Sequence, residues 1–388
     1  MSQVSTVDLL ILGGGCAGLS LARELVRFDT QASVRVIEPR EVYEDDRSWC
    51  FWAPDKHRLS GLVSQTWPWW LFNKQDQPKQ ARACPGYAYQ YVRAHDFYRH
   101  CQAQIALSPH VELCLGETVT DLRPHRAGWQ VTTNKGEYLA TQVVDTRPPE
   151  PAVMKRSTMF QCFLGVELLL DAPVERTDAV ELMTDMRMLD GDFCFNYVLP
   201  HSDRHALVEV TVFASKSWSR ESLMPELHRL LAQRGWLGAE VLRTEYGQLP
   251  MGLPEAPQYP AKQSRPGQQL LIAGTRGGAL RSSSGYGFQR IQRWAQTCAK
   301  QYVGNDTLAP ASSGYWLPRM DKLFLAVLKK YPQLTPTLFD RLLGCVPPAR
   351  FVRFMDDRAT LGDSLYIVAC LPKWPFVKTL LSKVREPS

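Results

Sequence analysis

An α/β fold built on a Rossmann-type dinucleotide-binding unit is predicted by two observations. The first is the opening run Leu9-Leu-Ile-Leu12. It flows into Gly13-x-Gly15-x-x-Gly18, a helical pattern over 19–28, a second apolar strand over 34–37 and an acid, Glu38. The second is a late return of the same chemistry: an apolar strand over 270–273 meets a glycine-rich turn at Gly274, and a helical pattern follows from Gly287.

Each residue of the first unit has a mechanical reason. Gly13 allows the tight turn, Gly15 lets the backbone approach a pyrophosphate, and Gly18 lets the helix pack close to the sheet. The helix N-terminus then presents free N–H groups and a positive dipole end to the phosphates. Glu38 follows the last glycine at about 20 residues, where a carboxylate accepts bonds from ribose hydroxyls.

The second unit reads Gly274-Thr275-Arg276-Gly277-Gly278 and then Ser284-Gly285-Tyr286-Gly287-Phe288. A simple nicotinamide enzyme has no use for it. Flavoproteins with two dinucleotide motifs use such a segment to grip the ribityl chain and to aim a helix N-terminus at the flavin ring, where it stabilises negative charge. The cofactor expected is therefore FAD rather than NAD. Thr275 stands where aromatic hydroxylases usually place Asp, and its hydroxyl is still able to bond the ribityl chain.

At 388 residues the chain exceeds one compact core. The expected organisation is an FAD-binding domain over 1–150, interrupted by a Trp- and Pro-rich, irregular segment near 41–85. A β-rich substrate region follows over 151–265, with a return to the FAD domain over 266–305 and a helical C-terminal region over 306–388. Between these, 88–107 reads as strand then helix, 111–115 and 129–133 as strands of a small sheet, and 141–145 as a strand returning to the nucleotide domain. The net charge of +6 comes without a like-charge block, so no nucleic-acid arm is expected. Ten scattered cysteines without a CxxC pair exclude a zinc site and suit a reducing cytosol. The N-terminal apolar run belongs to the nucleotide turn rather than to a signal peptide, and no apolar stretch is long enough to span a bilayer.

Three features suggest chemistry. Trp49 and Trp52, with Trp67, Trp69 and Trp70, are dense enough either to line an apolar channel and stabilise a cation or simply to anchor an irregular segment. A hairpin is predicted from strands over 193–199 and 206–213. On the second strand Ala206, Val208, Val210 and Val212 form one face; Leu207, Glu209, Thr211 and Phe213 form the other. Glu209 thus faces either solvent on an open sheet or a dry cavity, where it stays protonated and becomes a proton donor. Glu167, on the strand over 160–170, reads either as a second acid or as a plain surface residue, the latter preferred.

The motifs together resemble those of bacterial lycopene cyclases. Asp46-Arg-Ser-Trp49-Cys-Phe51-Trp52 resembles that family's DRTWCFW motif, and Phe160-Gln161-x-Phe163-Leu164-Gly165-x-Glu167 its Gln-Phe-Leu-Gly strand. Tyr197-Val-Leu-Pro200, Val208-Glu209-x-Thr211 and Tyr246-Gly247-x-x-Pro250-Met251 are similar to further elements in the same order, as are the second glycine segment, 321–324 and 353–357. Arg276 replaces a small residue usual beside the glycine pair, and Val210 stands where some relatives carry a second acid.

The resemblance implies ring closure at the ends of linear lycopene to β-ionone rings, by protonation, cation cyclisation and deprotonation. Reduced FAD serves as a non-redox cofactor, itself reduced by NADPH. It implies Glu209 as the acid, and Trp49, Trp52, Phe163 and Tyr197 along the substrate channel. Flavin contacts fall to Gly13, Gly15, Gly18, Glu38, Gly274, Thr275, Gly277, Gly278, Gly285, Tyr286 and Gly287. An insoluble polyene implies peripheral association with the inner face of the cell membrane, and 365–381 mixes apolar and aromatic residues with lysines as an interfacial surface would. The alternative class is an FAD-dependent hydroxylase or desaturase acting on another apolar substrate.

Overall fold

The computed structural model describes residues 4–254, 256, 269–311, 314 and 316–385. The expected boundary at 265/266 lies outside them. Strand Val4–Leu12 runs between Val34–Glu38 and Glu137–Asp145, both parallel to it, and Val111–Leu115 extends the sheet beyond Val34–Glu38. Leu9 to Leu12 are fully buried, as a continuous apolar run in a two-face-covered parallel strand requires. Glu137–Asp145 divides its edge: its first half pairs antiparallel with Gly128–Thr133, and its last three residues pair parallel with Leu270–Ile272. The strands 111–115 and 129–133 are thus not a small sheet of their own. They belong to this seven-stranded sheet, one at an edge and one beside Glu137–Asp145. Helices Cys16–Arg27, Ala94–Ile105 and Phe288–Asn305 pack with it around one apolar core.

A second seven-stranded sheet runs in the order Glu240–Met251, Met159–Leu169, His205–Ala214, Asp192–Pro200, Ala179–Leu189, Trp69–Lys74, Gln80–Ala83. Its two faces follow the alternation of His205–Ala214. Ala206, Val208, Val210 and Val212 pack on helix Arg220–Arg234 through Leu223, Leu227 and Leu230. Leu207 and Phe213 lie on the other face, in a core completed by Leu325, Phe339 and Phe351 of the C-terminal helices.

The segment 41–85 is not irregular. Ser48–Ala53 and Gln65–Trp67 pair with Ala88–Arg93 in a three-stranded sheet, while Trp69–Lys74 and Gln80–Ala83 complete the second large sheet. Trp52, Trp67 and Trp70 act as large buried strand residues, whereas Trp69 is exposed.

Helices Leu317–Lys330, Thr335–Cys345, Pro348–Met355, Leu361–Cys370 and Lys373–Arg385 close the chain. Thr360 and Asp363 form a capping box at the start of Leu361–Cys370. Among the described residues no helix is long and apolar enough to cross a membrane.

Candidate functional site

The first glycine turn has the form a pyrophosphate needs. Gly13 adopts φ +97°, and a Cβ on Gly18 would run into the Gly13 carbonyl oxygen. Nothing lies within 4 Å of where a Cβ on Gly15 would stand, and Gly15 starts helix Cys16–Arg27 without a side-chain cap. The first-turn N–H groups are therefore left for an anion. Glu38 reaches this turn, buried at 4% exposure. Its Oε2 accepts from the Gly14 N–H at 2.7 Å, its Oε1 from Arg40 Nε at 2.7 Å, and the Tyr43 hydroxyl donates to the Gly14 carbonyl at 2.8 Å.

The second glycine turn lies beside the first because Leu270–Ile272 pairs with the end of Glu137–Asp145. Gly274 and Gly278 take φ +63° and +78°, with half-buried Thr275 between them in a short 3-10 turn, and a Cβ on Gly277 would strike the Ile272 carbonyl oxygen. Arg276 donates to Asp145 at 2.9 Å, and Arg147 holds the same carboxylate at 2.8 Å. Arg276 thus pins the turn to the strand that pairs with it. Gly285 has φ +71°; Gly287 precedes helix Phe288–Asn305, again with no side-chain cap.

Two buried polar atoms beside this segment, Gln161 Oε1 and Ser284 Oγ, have no partner among the described residues. Unpaired buried polar atoms are costly, and a bound polar group relieves that cost. Two bare helix N-termini, an open cradle at Gly15 and these orphaned atoms fit a flavin dinucleotide. Gly13, Gly15 and Gly18 would take the pyrophosphate, and the 274–287 segment the ribityl chain and ring.

Glu209 lines a cavity next to the second helix N-terminus, together with Trp49, Phe163, Tyr197, Glu245 and Tyr286. Trp49 stacks on Phe288, the first residue of that helix, with ring centroids 5.2 Å apart. Glu209 therefore faces a cavity rather than an open sheet surface. Its Oε1 accepts the Thr211 hydroxyl at 2.7 Å. Burial, then the neighbouring Glu245 carboxylate, push its carboxyl well above the usual carboxylate range.

A second, apolar cavity adjoins this one. Gln161, Tyr197, Ser284 and Tyr286 line both. It runs between the second sheet and the C-terminal helices, past Phe195, Phe213, Phe339 and Phe351, to Ile367, Val368 and Phe376. Val368 both lines it and is 46% exposed, so the cavity reaches the surface beside the last two helices. Trp52 sits here and not with Glu209, stacked on Tyr286 at 5.9 Å, whose hydroxyl bonds that of Tyr89 at 2.8 Å. The predicted channel residues thus divide: Trp49 and Phe163 at the acid, Trp52 in the apolar cavity, Tyr197 at the junction.

Glu167 is not a surface residue. It is 2% exposed, bonded by His205 Nε2 at 2.7 Å and Arg243 Nε at 2.8 Å, with Arg93 at 3.5 Å. Burial raises its carboxyl, but His201, Arg243 and Arg93 together hold it far below the usual range. His201 completes a cluster with Glu167 and His205 in which ligand atoms lie within 4.8 Å, but two arginines already neutralise the carboxylate. Sequence reasoning also missed Glu245. Its signal was the alternation Arg243, Glu245, Gly247 on a strand already marked by the Gly247 to Met251 motif.

A largely parallel sheet with two glycine turns, joined to a second sheet that carries an aromatic cavity, defines the Rossmann-type FAD-binding fold. Solved structures agree. A geranylgeranyl bacteriochlorophyll reductase-like protein from Thermoplasma acidophilum superposes with a TM-score of 0.61 over 98% of this chain and 100% of that one, at 15% identity. The p-nitrophenol 4-monooxygenase of Pseudomonas putida does so at 0.58 over 96% and 99%, at 14% identity. Within that fold class the chain belongs to the lycopene cyclase protein family, whose model matches residues 8–381. It is 25% identical to the lycopene beta-cyclase of Pantoea ananas across 96% of this chain and 97% of that one. It is 26% identical to the lycopene beta-cyclase of Pseudescherichia vulneris across 63% of this chain and 62% of that one.

Proposed function

We propose that this chain is a lycopene beta-cyclase that forms β-ionone rings at the ends of linear lycopene, with FAD bound in its reduced state and NADPH as the source of electrons. One observation carries the reading. A half-buried carboxyl, Glu209, with no cation within ion-pair distance among the described residues, stands in an aromatic cavity between the cradle that fits a flavin and an apolar cavity that reaches the surface.

Chemistry and geometry match step by step. The apolar cavity takes the polyene and leaves one end group at Glu209. The protonated carboxyl gives its proton to the terminal double bond, and a tertiary cation forms. The neighbouring double bond closes on it, and the cyclic cation loses a ring proton that returns to the carboxylate left on Glu209, so no atoms or electrons are gained overall. Trp49 and Phe163 present ring faces to the cation and keep out the water that would trap it. The cradle and the helix N-terminus at Gly287 would hold a reduced flavin, whose negative charge would stabilise the cation.

An insoluble substrate has to come from a bilayer. Leu361, Leu365, Tyr366, Val368, Trp374 and Leu381 are exposed on the last two helices where the apolar cavity reaches the surface, and support peripheral docking on the cytoplasmic face of the cell membrane. Expression in a lycopene-accumulating bacterium tests the reaction: pigment extracts are expected to shift to β-carotene. Unchanged lycopene, or hydroxylated or further desaturated products with substrate-dependent oxygen uptake, would contradict it.

A further inference from the structure

Strand Met159–Leu169 lies between His205–Ala214 and Glu240–Met251, and Gly165 is in register with Glu209 on one side and Glu245 on the other. Glycine leaves the floor between the two acids empty. A Cβ there would stand 3.4 Å from Glu209 Cβ and 3.3 Å from Glu245 Cγ. Two carboxyls therefore share one cavity, side by side.

Their partners differ. Glu245 is 5% exposed; its Oε2 takes a hydrogen bond from Arg243 Nη1 at 2.8 Å, and the Ser48 hydroxyl lies 3.3 Å from the same oxygen. Glu209 has the Thr211 hydroxyl at 2.7 Å and no arginine, lysine or histidine within ion-pair distance among the described residues. The other groups that face Glu209 do not supply a cation. Tyr197, paired with it on the adjacent strand, Cys50 and Tyr286 are all held neutral by burial. Arg47 at the cavity rim is bound to Asp46 at 2.6 Å. Arg243 is itself divided between Glu245 and Glu167.

We infer that Glu245 is a positioning residue: an anion fixed by Arg243 and Ser48 that keeps the adjacent Glu209 carboxyl protonated and ready to act as an acid. Two carboxyls in one desolvated site cannot both ionise, and the proton goes to the one without a cation. Burial raises both carboxyls; the Arg243 charge and hydrogen bond oppose it at Glu245, which still lies above the usual carboxylate range, while at Glu209 the Glu245 carboxylate adds to it. The pair titrates as a unit, so its apparent values belong to both residues.

The role given to Glu209 rests on the proposed cyclase reading; the proton's location does not, and the experiment separates them. Infrared titration of the purified protein follows the carbonyl stretch of a protonated carboxyl, alongside the pH profile of cyclisation on lycopene-loaded liposomes. In the wild type the band is expected at pH 7 and to vanish in Glu209→Gln. In Glu245→Gln it is expected to titrate at a pH lower by about one unit or more, with the alkaline limb of kcat moving by the same amount. Glu245→Asp keeps the charge and is expected to restore both. A band that persists in Glu209→Gln, or an alkaline limb and band unmoved in folded Glu245→Gln, would overturn the inference. The Glu209→Gln comparison decides even if Glu245→Gln does not fold. A band that behaves as described in a protein that cyclises nothing would remove the cyclase reading and leave this one standing.

Discussion

Arg281 and Asp321 form a two-pronged ion pair, Nη2 to Oδ1 at 3.0 Å and Nε to Oδ2 at 3.1 Å, between the second glycine segment and the first long C-terminal helix. The arginine side chain is fully buried and lies over the Phe354 ring at 3.9 Å, while Ser283 donates to Asp321 at 2.8 Å. This pair fastens the helices that wall the apolar cavity to the segment that would hold the flavin ring. Removing one member strands a buried charge, at a cost of about 3–5 kcal/mol. Asp321→Ala is expected to lower the thermal midpoint by several degrees and to weaken flavin retention, read by calorimetry and by absorbance after gel filtration.

Two glycines of the first turn are expected to fail differently. Gly15→Ala adds a methyl into open space, so stability is expected within about 0.5 kcal/mol of wild type. The methyl occupies the pyrophosphate approach, so flavin is lost. Gly18→Ala drives a methyl against the Gly13 carbonyl, and both stability, by about 1–3 kcal/mol, and flavin are expected to fall. Denaturant midpoints and flavin titration distinguish the two patterns.

Stability carries a pH signature from Glu209. Its carboxyl is pushed up to about 8 from 4.5 in the unfolded chain. Between those values the native state keeps a proton that the unfolded chain releases, so stability falls as pH rises through the window. Glu209→Gln removes this dependence. Its midpoint relative to wild type is expected to climb from pH 5 to pH 8 and then to level, while cyclisation is abolished. Glu167 runs the opposite way: its depressed value contributes stability above about pH 4.5 that is lost on acidification. A Glu209→Gln midpoint that tracks wild type at every pH would contradict the assignment of a protonated acid.

The exposed apolar residues of the last two helices are expected to govern bilayer docking. A Leu365→Ser, Trp374→Ser, Leu381→Ser triple variant leaves buried Ile367 and half-buried Phe376 in place and should remain folded. It is expected to lose flotation with anionic liposomes; undiminished flotation would place docking elsewhere.

The nucleotide unit was legible in the sequence because its physics is local: the glycines, the helix start and the acid lie within one βαβ stretch. Strand alternation also placed Glu209 opposite the Val208–Val210–Val212 face correctly. It could not tell cavity from solvent, because the opposite wall comes from Trp49 and Phe288, far away in the chain. Glu167 was misread for the same reason, since His205, Arg243 and Arg93 reach it from three other strands. Proline and tryptophan density hid the strands of 41–85, whose pairing partners Ala88–Arg93 and Ala179–Leu189 decide their structure.

The most direct test of the central claim is an oxygen-free reaction of purified protein, loaded with reduced FAD, on lycopene in liposomes, following carotenoids by chromatography and the flavin by its visible spectrum. The account predicts many β-ionone ends formed per bound flavin while the flavin stays reduced throughout. No cyclic product, or product formed only one-for-one with flavin oxidation, would contradict it.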